Sequence, residues 1–202
     1  MEIRGATFVT SNTDVRQCPA PDRHEYAFIG RSNVGKSSLI NMLTNNGKLA
    51  KTSSTPGKTR LINHFLVNNE WYLVDLPGYG YVKSSRESRK QFNALIRDYI
   101  LHRENMVCLF VLVDSRHAPR AIDLEFMAWL GENGIPFAIV FTKADKLTAR
   151  ACRDSMAAYE NVMLEQWESM PKTFLTSAES RQGREELLGY LDELNRTVDK
   201  FW

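Results

Sequence analysis

Residues 30–37, Gly-Arg-Ser-Asn-Val-Gly-Lys-Ser, constrain this chain more than any other stretch. The octet meets the pattern G-x-x-x-x-G-K-[ST] at every fixed position. An apolar run, Tyr26-Ala27-Phe28-Ile29, precedes it, and a helical pattern follows through Leu43. A strand feeding a glycine-punctuated loop that opens a helix is an anion cradle. Gly30 and Gly35 let the backbone turn tightly so that the N–H groups of Arg31, Ser32, Asn33 and Val34 converge, and the helix adds its positive N-terminal end. Lys36 then reaches the β- and γ-phosphates, the Ser37 hydroxyl ligates Mg²⁺, and Ser38 continues the first turn. A glycine turn that happens to carry Lys-Ser would not need the flanking strand and helix. The stretch implies a bound nucleoside triphosphate.

The rest of the chain fits a sheet around that loop. Strands are predicted at 26–30, 61–67, 71–75, 106–114, 136–142 and 173–176, with one more strand-like alternation at 6–10. Asn68-Asn69-Glu70 is so short a link that 61–67 and 71–75 must form an antiparallel hairpin. Apolar stripes at helical spacing fill the gaps: Phe92 to Ile100, then Ile122 to Leu130 with Gly131 and Gly134 ending it. Cys152 to Trp167 follows, stopped by Pro171, and Leu187 to Val198 comes last. Alternating strands and helices predict an α/β class with a mostly parallel sheet, one antiparallel edge and helices on both faces. Residues 1–23 read as a lead-in strand and turn, and residues 24–202 as the main domain.

Composition excludes several classes. With 202 residues, 43% hydrophobic and 25% charged, the chain can bury a full core. No apolar run approaches the roughly 18 residues of a membrane span, and the N-terminus lacks a basic-then-apolar export pattern. Cys18, Cys108 and Cys152 lie far apart and are odd in number, which argues against a disulfide framework or a zinc site. A cytoplasmic protein without a membrane partner is expected.

Further motifs choose among triphosphate users. Asp75-Leu76-Pro77-Gly78 ends a predicted strand; the Asp75 carboxylate can hold Mg²⁺ through water, and the Gly78 N–H can meet the γ-phosphate. Between the two phosphate motifs lies a polar stretch whose segment Gly57-Lys58-Thr59-Arg60-Leu61 runs into a strand. Thr59 is the preferred residue to complete the Mg²⁺ shell when a γ-phosphate is present, with Thr52 and Thr55 as rivals. Thr142-Lys143-Ala144-Asp145 ends another strand. The Asp145 carboxylate can accept from both N1–H and N2–H₂ of guanine, a donor pair that adenine lacks. After the last strand, Thr176-Ser177-Ala178 can offer a backbone N–H to guanine O6. No catalytic side chain is assigned; Lys36 and Gly78 act as phosphate stabilisers. Tyr79, next to the D-x-x-G motif, cannot orient water as a glutamine would, and no arginine finger is identifiable, so intrinsic hydrolysis is expected to be slow.

With these residues in view, the chain resembles the EngB (YihA/YsxC) family of bacterial TRAFAC GTP-binding proteins, which implies the P-loop GTPase fold. The resemblance spans nearly the whole chain. It rests on residues 30–38, on Thr55-Pro56-Gly57-Lys58-Thr59, and on Asp75 through Tyr81 with its Tyr-Gly-Tyr. It also rests on Asp114-x-Arg116-His117 and on Thr142 through Lys146. Thr142 stands where most GTPases carry Asn, and its shorter side chain is expected to tie the base loop to the P-loop less firmly. Arg60 stands where many members have Gln. The resemblance implies GTP and GDP as ligands, Mg²⁺ as cofactor, the large ribosomal subunit or its precursor (rRNA) as partner, and a link to cell division and septation. Related GTPases with Asn at the position of Asn33 bind K⁺, which extends that expectation here.

One feature of the residues is compatible with an RNA partner and does not call for DNA. From Asn45 to Arg103 ten Lys and Arg oppose four Asp and Glu, a local +6 in a chain of net charge +2. Lys48, Lys51, Lys58 and Arg60 flank the first switch stretch; Lys83, Arg86, Arg89 and Lys90 follow the second, beside Tyr79 and Tyr81. The alternative reading of residues 86–90 is a solvated helix start, and Arg116 and His117 read as either a partner contact or a structural turn. Three rival functions are a small-molecule P-loop kinase, an ATPase (against which Asp145 speaks), and a septation factor without a direct ribosome role.

Overall fold

The computed structural model describes residues 1–51, 61–80 and 86–198, the side chains of 86–92 excepted. Its centre is strand β2 (Glu25–Gly30), which lies buried along its whole length. After β1 (Ala6–Asn12) and β2 come helix α1 (Lys36–Thr44), the hairpin β3 (Ile62–Val67) and β4 (Trp71–Asp75), and α2 (Arg86–His102). Then follow β5 (Met106–Asp114), α3 (Ala121–Glu132), β6 (Phe137–Thr142), α4 (Ala149–Met163), β7 (Thr173–Leu175) and α5 (Arg184–Thr197). The seven strands run in the order β1-β3-β4-β2-β5-β6-β7. From β4 to β7 all neighbours are parallel, whereas β3 runs antiparallel to both β4 and β1. The antiparallel edge is therefore the hairpin strand together with the lead-in strand outside it.

Strand periodicity divides the core. Tyr26 and Phe28 face α1 and α5, with Leu39, Leu43, Phe110, Leu187 and Leu191 around them. Ala27 and Ile29 face α2, α3 and α4, among Ile96, Tyr99, Met127, Phe141 and Tyr159. Cys108 and the Met and aromatic positions Tyr159 and Met163 are buried core, as their spacing suggests. No helix among the described residues is long and apolar enough to cross a membrane.

Two helix ends differ from expectation. Gly131 lies inside α3, not beyond it, because the Trp167 ring packs where a side chain would project: a Cβ there would meet Trp167 Cη2 at 2.7 Å. The chain leaves α3 at Gly134, whose φ is +66°. Helix α4 stops at Met163, well before Pro171, and Trp167 turns back onto Phe137 at 5.6 Å between ring centroids. The tryptophan thus belongs to the packing between α3 and β6 rather than to the stripe of α4. Since β4, β2, β5, β6 and β7 run parallel, their carboxyl ends deliver the P-loop and residues 75–78, 114–117, 142–146 and 176–178 to one end of the sheet.

Candidate functional site

Gly30 closes β2 where there is no room for a side chain. A Cβ there would meet Val34 Cγ1 at 2.8 Å and Leu112 O at 3.0 Å. Gly35 caps α1 at φ +100° without any side-chain hydrogen bond, so the first-turn N–H groups face the loop rather than a cap. The Lys36 ammonium, largely buried, contacts the Asp75 carboxylate and the Leu76 carbonyl. These oxygens take the place that phosphate oxygens occupy beside a P-loop lysine, because a buried ammonium needs acceptors. The contact also brings the start of α1, where Ser37 lies, against the end of β4. Hard oxygen donors from Ser37 and Asp75 on adjoining elements fit a Mg²⁺ that takes its remaining ligands from phosphates and water. Gly78 sits directly on the P-loop, its hypothetical Cβ 2.6 Å from Gly30 O and 3.5 Å from Ser32 N. Pro77 is buried beside it, and Leu61 is half-buried ahead of β3. Gly57, Lys58, Thr59 and Arg60, with the rivals Thr52 and Thr55, lie outside the described residues, as do Tyr81, Lys83 and the side chains of Arg86, Arg89 and Lys90.

The base-side motifs are tied to the phosphate loop. Thr142 Oγ1 donates to Val34 O at 2.6 Å, so the shorter side chain does make the tie. Threonine succeeds here because β6 carries it, buried, right under the loop. Lys143, at φ +62°, crosses the loop and donates from Nζ to Asn33 O at 2.7 Å. Asp145 Oδ1 accepts from Ser177 Oγ at 2.6 Å, and its Oδ2 lies 3.1 Å from Lys146 Nζ. The Ser177 bond, with help from Lys146, holds this carboxyl below its ordinary range. Thr176 O accepts from the Ala144 N–H at 3.1 Å, which joins the two base loops. Ser38 and Ala178 both line a cleft of about 450 Å³.

This geometry of phosphate cradle, strand-end Asp75 and oriented Asp145 is accompanied by close relatives. The family model of the 50S ribosome-binding GTPases matches residues 25–143. A probable GTP-binding protein EngB of Bacteroides fragilis is 61% identical over 199 residues, covering 98% of this chain and 99% of the relative. The chain belongs to the EngB family. It is a GTP-binding protein and a GTPase. The EngB protein of Porphyromonas gingivalis is 59% identical over 198 residues, 98% of each chain. A crystal structure of a probable GTP-binding protein engB superposes with a TM-score of 0.68 at 26% identity, covering 86% of this chain and all of that one. Era of Aquifex aeolicus shares the fold at 20% identity, with a TM-score of 0.68 over 90% of this chain and 61% of its own.

Several EngB contacts carry no signal in the sequence pattern. Arg184, buried at the start of α5, donates to Met42 O at 3.0 Å and Leu43 O at 2.9 Å, satisfying the last carbonyls of α1. Arg116 folds onto Asp114 through Nε at 3.0 Å and Nη2 at 2.8 Å, and the His117 N–H donates to Asp114 O at 3.2 Å. Of the two alternatives for this pair, the turn is what the geometry displays. Burial alone would raise the Asp114 carboxyl, but Arg116 and Lys143 hold it well below the usual range. Tyr79 points away from the phosphate loop into α3, where its hydroxyl donates to Asp123 Oδ1 at 2.8 Å.

Proposed function

We propose that this GTPase is Mg²⁺-dependent and acts in the cytoplasm as a switch in assembly of the large ribosomal subunit, with normal cell division and septation depending on it. The match of residues 25–143 to a family described as 50S ribosome-binding carries the partner assignment. The local +6 between Asn45 and Arg103 supports it, since clustered cations displace counterions from rRNA. In this reading the main-chain donors from Gly30 to Ser38 and the Lys36 ammonium hold the phosphates, and Ser37, Thr59 and Asp75 would hold the metal. Mg²⁺ held by these residues would supply charge neutralisation to the bound triphosphate. Asp145 selects guanine, with Thr142, Lys143, Ala144, Thr176, Ser177 and Ala178 around the base.

With a γ-phosphate bound, Thr59 would complete the metal shell and the Gly78 N–H, already seated against the P-loop, would meet the phosphate, fixing the basic residues that follow; hydrolysis would release them. Tyr79 faces α3, so no side chain at that position orients water, and hydrolysis is slow until a partner completes the site. Sedimentation with isolated large subunits, comparing a GTP analogue with GDP across a salt series, tests the reading. Tighter binding with the analogue, falling steeply with salt, is expected. Equal binding in both states would sink the switch. No binding in either, alongside a division defect on depletion, would leave a septation factor without a direct ribosome role.

A further inference from the structure

We propose that Asp123 is a positioning residue for GTP: by holding the Tyr79 hydroxyl it seats the D-x-x-G loop against the phosphate cradle. The inference rests on the reading above in which the Gly78 N–H meets the γ-phosphate.

Residue 79 spans the gap between two elements. On one side its N–H donates to Gly30 O at 3.2 Å, and it pairs with Arg31 in a short parallel bridge. On the other, its ring stacks on Phe126 of α3, centroids 4.4 Å apart and planes 25° apart, and its hydroxyl reaches Asp123. Tyr79 is 5% exposed and Asp123 4%. Both neighbours of Tyr79 fit this seating only as glycine. A Cβ on Gly78 would come to 2.6 Å from Gly30 O, and one on Gly80, at φ +76°, to 2.5 Å from Ile122 Cδ1. The loop is thus clamped between the P-loop and the first turn of α3.

Asp123 is an expensive way to fill space there. An apolar side chain would pack without the cost of burying a carboxylate. Burial raises its pKa, against which Tyr79 and the charges of Arg31 and Arg120 work. What the carboxylate adds is a fixed, strong acceptor for a phenol donor. That acceptor acts one residue from Gly78, whose N–H meets a group that GTP carries and GDP lacks. The tether should therefore weigh on GTP alone. A hydrogen bond that served only to pack α3 would change stability and treat the two nucleotides alike.

Equilibrium binding of a non-hydrolysable GTP analogue and of GDP, with thermal melting in parallel, separates these roles. Tyr79→Phe and Asp123→Ala should lower the ratio of analogue to GDP affinity about fivefold, near the low end of site-to-site coupling, with GDP affinity unchanged. Asp123→Asn keeps an acceptor oxygen and should retain most of the ratio. The double variant Tyr79→Phe/Asp123→Ala should be no worse than the poorer single one, as for two partners of one bond. If Asp123→Ala fails to fold, Tyr79→Phe, which keeps the ring, decides. A lowered melting temperature with the ratio intact in Tyr79→Phe would overturn the proposal. Gly78→Ala distinguishes the two levels. If it collapses the ratio and Tyr79→Phe does not, the tether alone is wrong; if it also leaves the ratio intact, the Gly78 assignment fails and the tether with it.

Discussion

Replacing Asp145 with Asn should convert the chain from a GTP binder into an XTP binder. The carboxylate is already oriented, with Oδ1 held by Ser177 at 2.6 Å and Oδ2 beside Lys146 at 3.1 Å. Both oxygens can accept from guanine N1–H and N2–H₂. Hydrogen bonds to a charged group contribute about 1.5–3 kcal/mol each, so losing one outright and setting a donor against a donor in its place, at a similar cost, spans about 3–6 kcal/mol. At a decade per 1.4 kcal/mol, that is about 10²- to 10⁴-fold in affinity. Asp145 belongs to an exposed loop, where water replaces part of what is lost. The expected loss therefore lies near 10²-fold, at the lower end of that range. Asparagine turns one acceptor into a donor, which repels guanine N2–H₂ and suits the C2 oxygen of xanthine. Displacement of a labelled nucleotide by GTP, XTP and ATP reads the outcome, with XTP gaining and ATP unaffected. Ser177→Ala, which leaves the carboxylate but frees Oδ1, should weaken GTP about fivefold without any gain for XTP, the worth of one ordinary hydrogen bond. A GTP/XTP preference unchanged in Asp145→Asn would refute the base assignment.

Acid should destabilise the fold through Glu25. Burial pushes this carboxyl up, but hydrogen bonds from His64 at 3.0 Å and Arg103 at 2.6 Å hold it at about 2. Because the folded value lies below an unfolded value of about 4.3, its contribution is full above that pH and is lost as pH falls toward 2. Arg103→Ala should cost about 3 kcal/mol at neutral pH by stranding a buried carboxylate, and should flatten that acid slope. Denaturant unfolding of both proteins across a pH series checks this, and parallel slopes would exclude Glu25 as the titrating group. Hydrolysis should run faster in K⁺ than in Na⁺ at matched ionic strength if Asn33, exposed in the loop with φ +61°, helps to hold the cation. Equal rates would remove K⁺ from the site.

The sequence displays what is local and periodic. Residues 71–75 and 106–114 emerge as strands with the expected bounds because each is an apolar run closed by turn-forming residues. The phosphate and base motifs are legible because each is contiguous and sits at a strand end. What escaped depends on residues far apart in the chain. Glu25, His64, Tyr99 and Arg103 form one buried polar cluster from β2, β3 and the end of α2, and no window of sequence contains it. The tether of Tyr79 to Asp123 spans 44 positions, and the anchoring of α1 by Arg184 more than 140. Gly131 looks like a helix stop until the ring of Trp167 is known to lie over it.

The contacts that hold the nucleotide site together fall into two sets with different consequences. Thr142 to Val34 and Lys143 to Asn33 lock the base loop to the P-loop, and Arg184 fixes the far end of α1. None of these reaches a position that a γ-phosphate alone would touch, so they act on GTP and GDP alike and set affinity. The Lys36 contacts to Asp75 and Leu76, and the seat of Tyr79 between Gly30 and Asp123, lie on the γ-phosphate side. Lys36 cannot serve phosphates and Asp75 equally, so nucleotide entry must loosen the grip of Lys36 on the D-x-x-G segment. Tyr79 then remains, with the Leu76 N–H on Phe28 O at 3.0 Å, to anchor that segment to the body of the domain. In the switch reading proposed above, discrimination between the two nucleotides would accordingly rest on fewer and more separable contacts than affinity, as a switch requires: a nucleotide held firmly in both states, and a loop that answers to one phosphate.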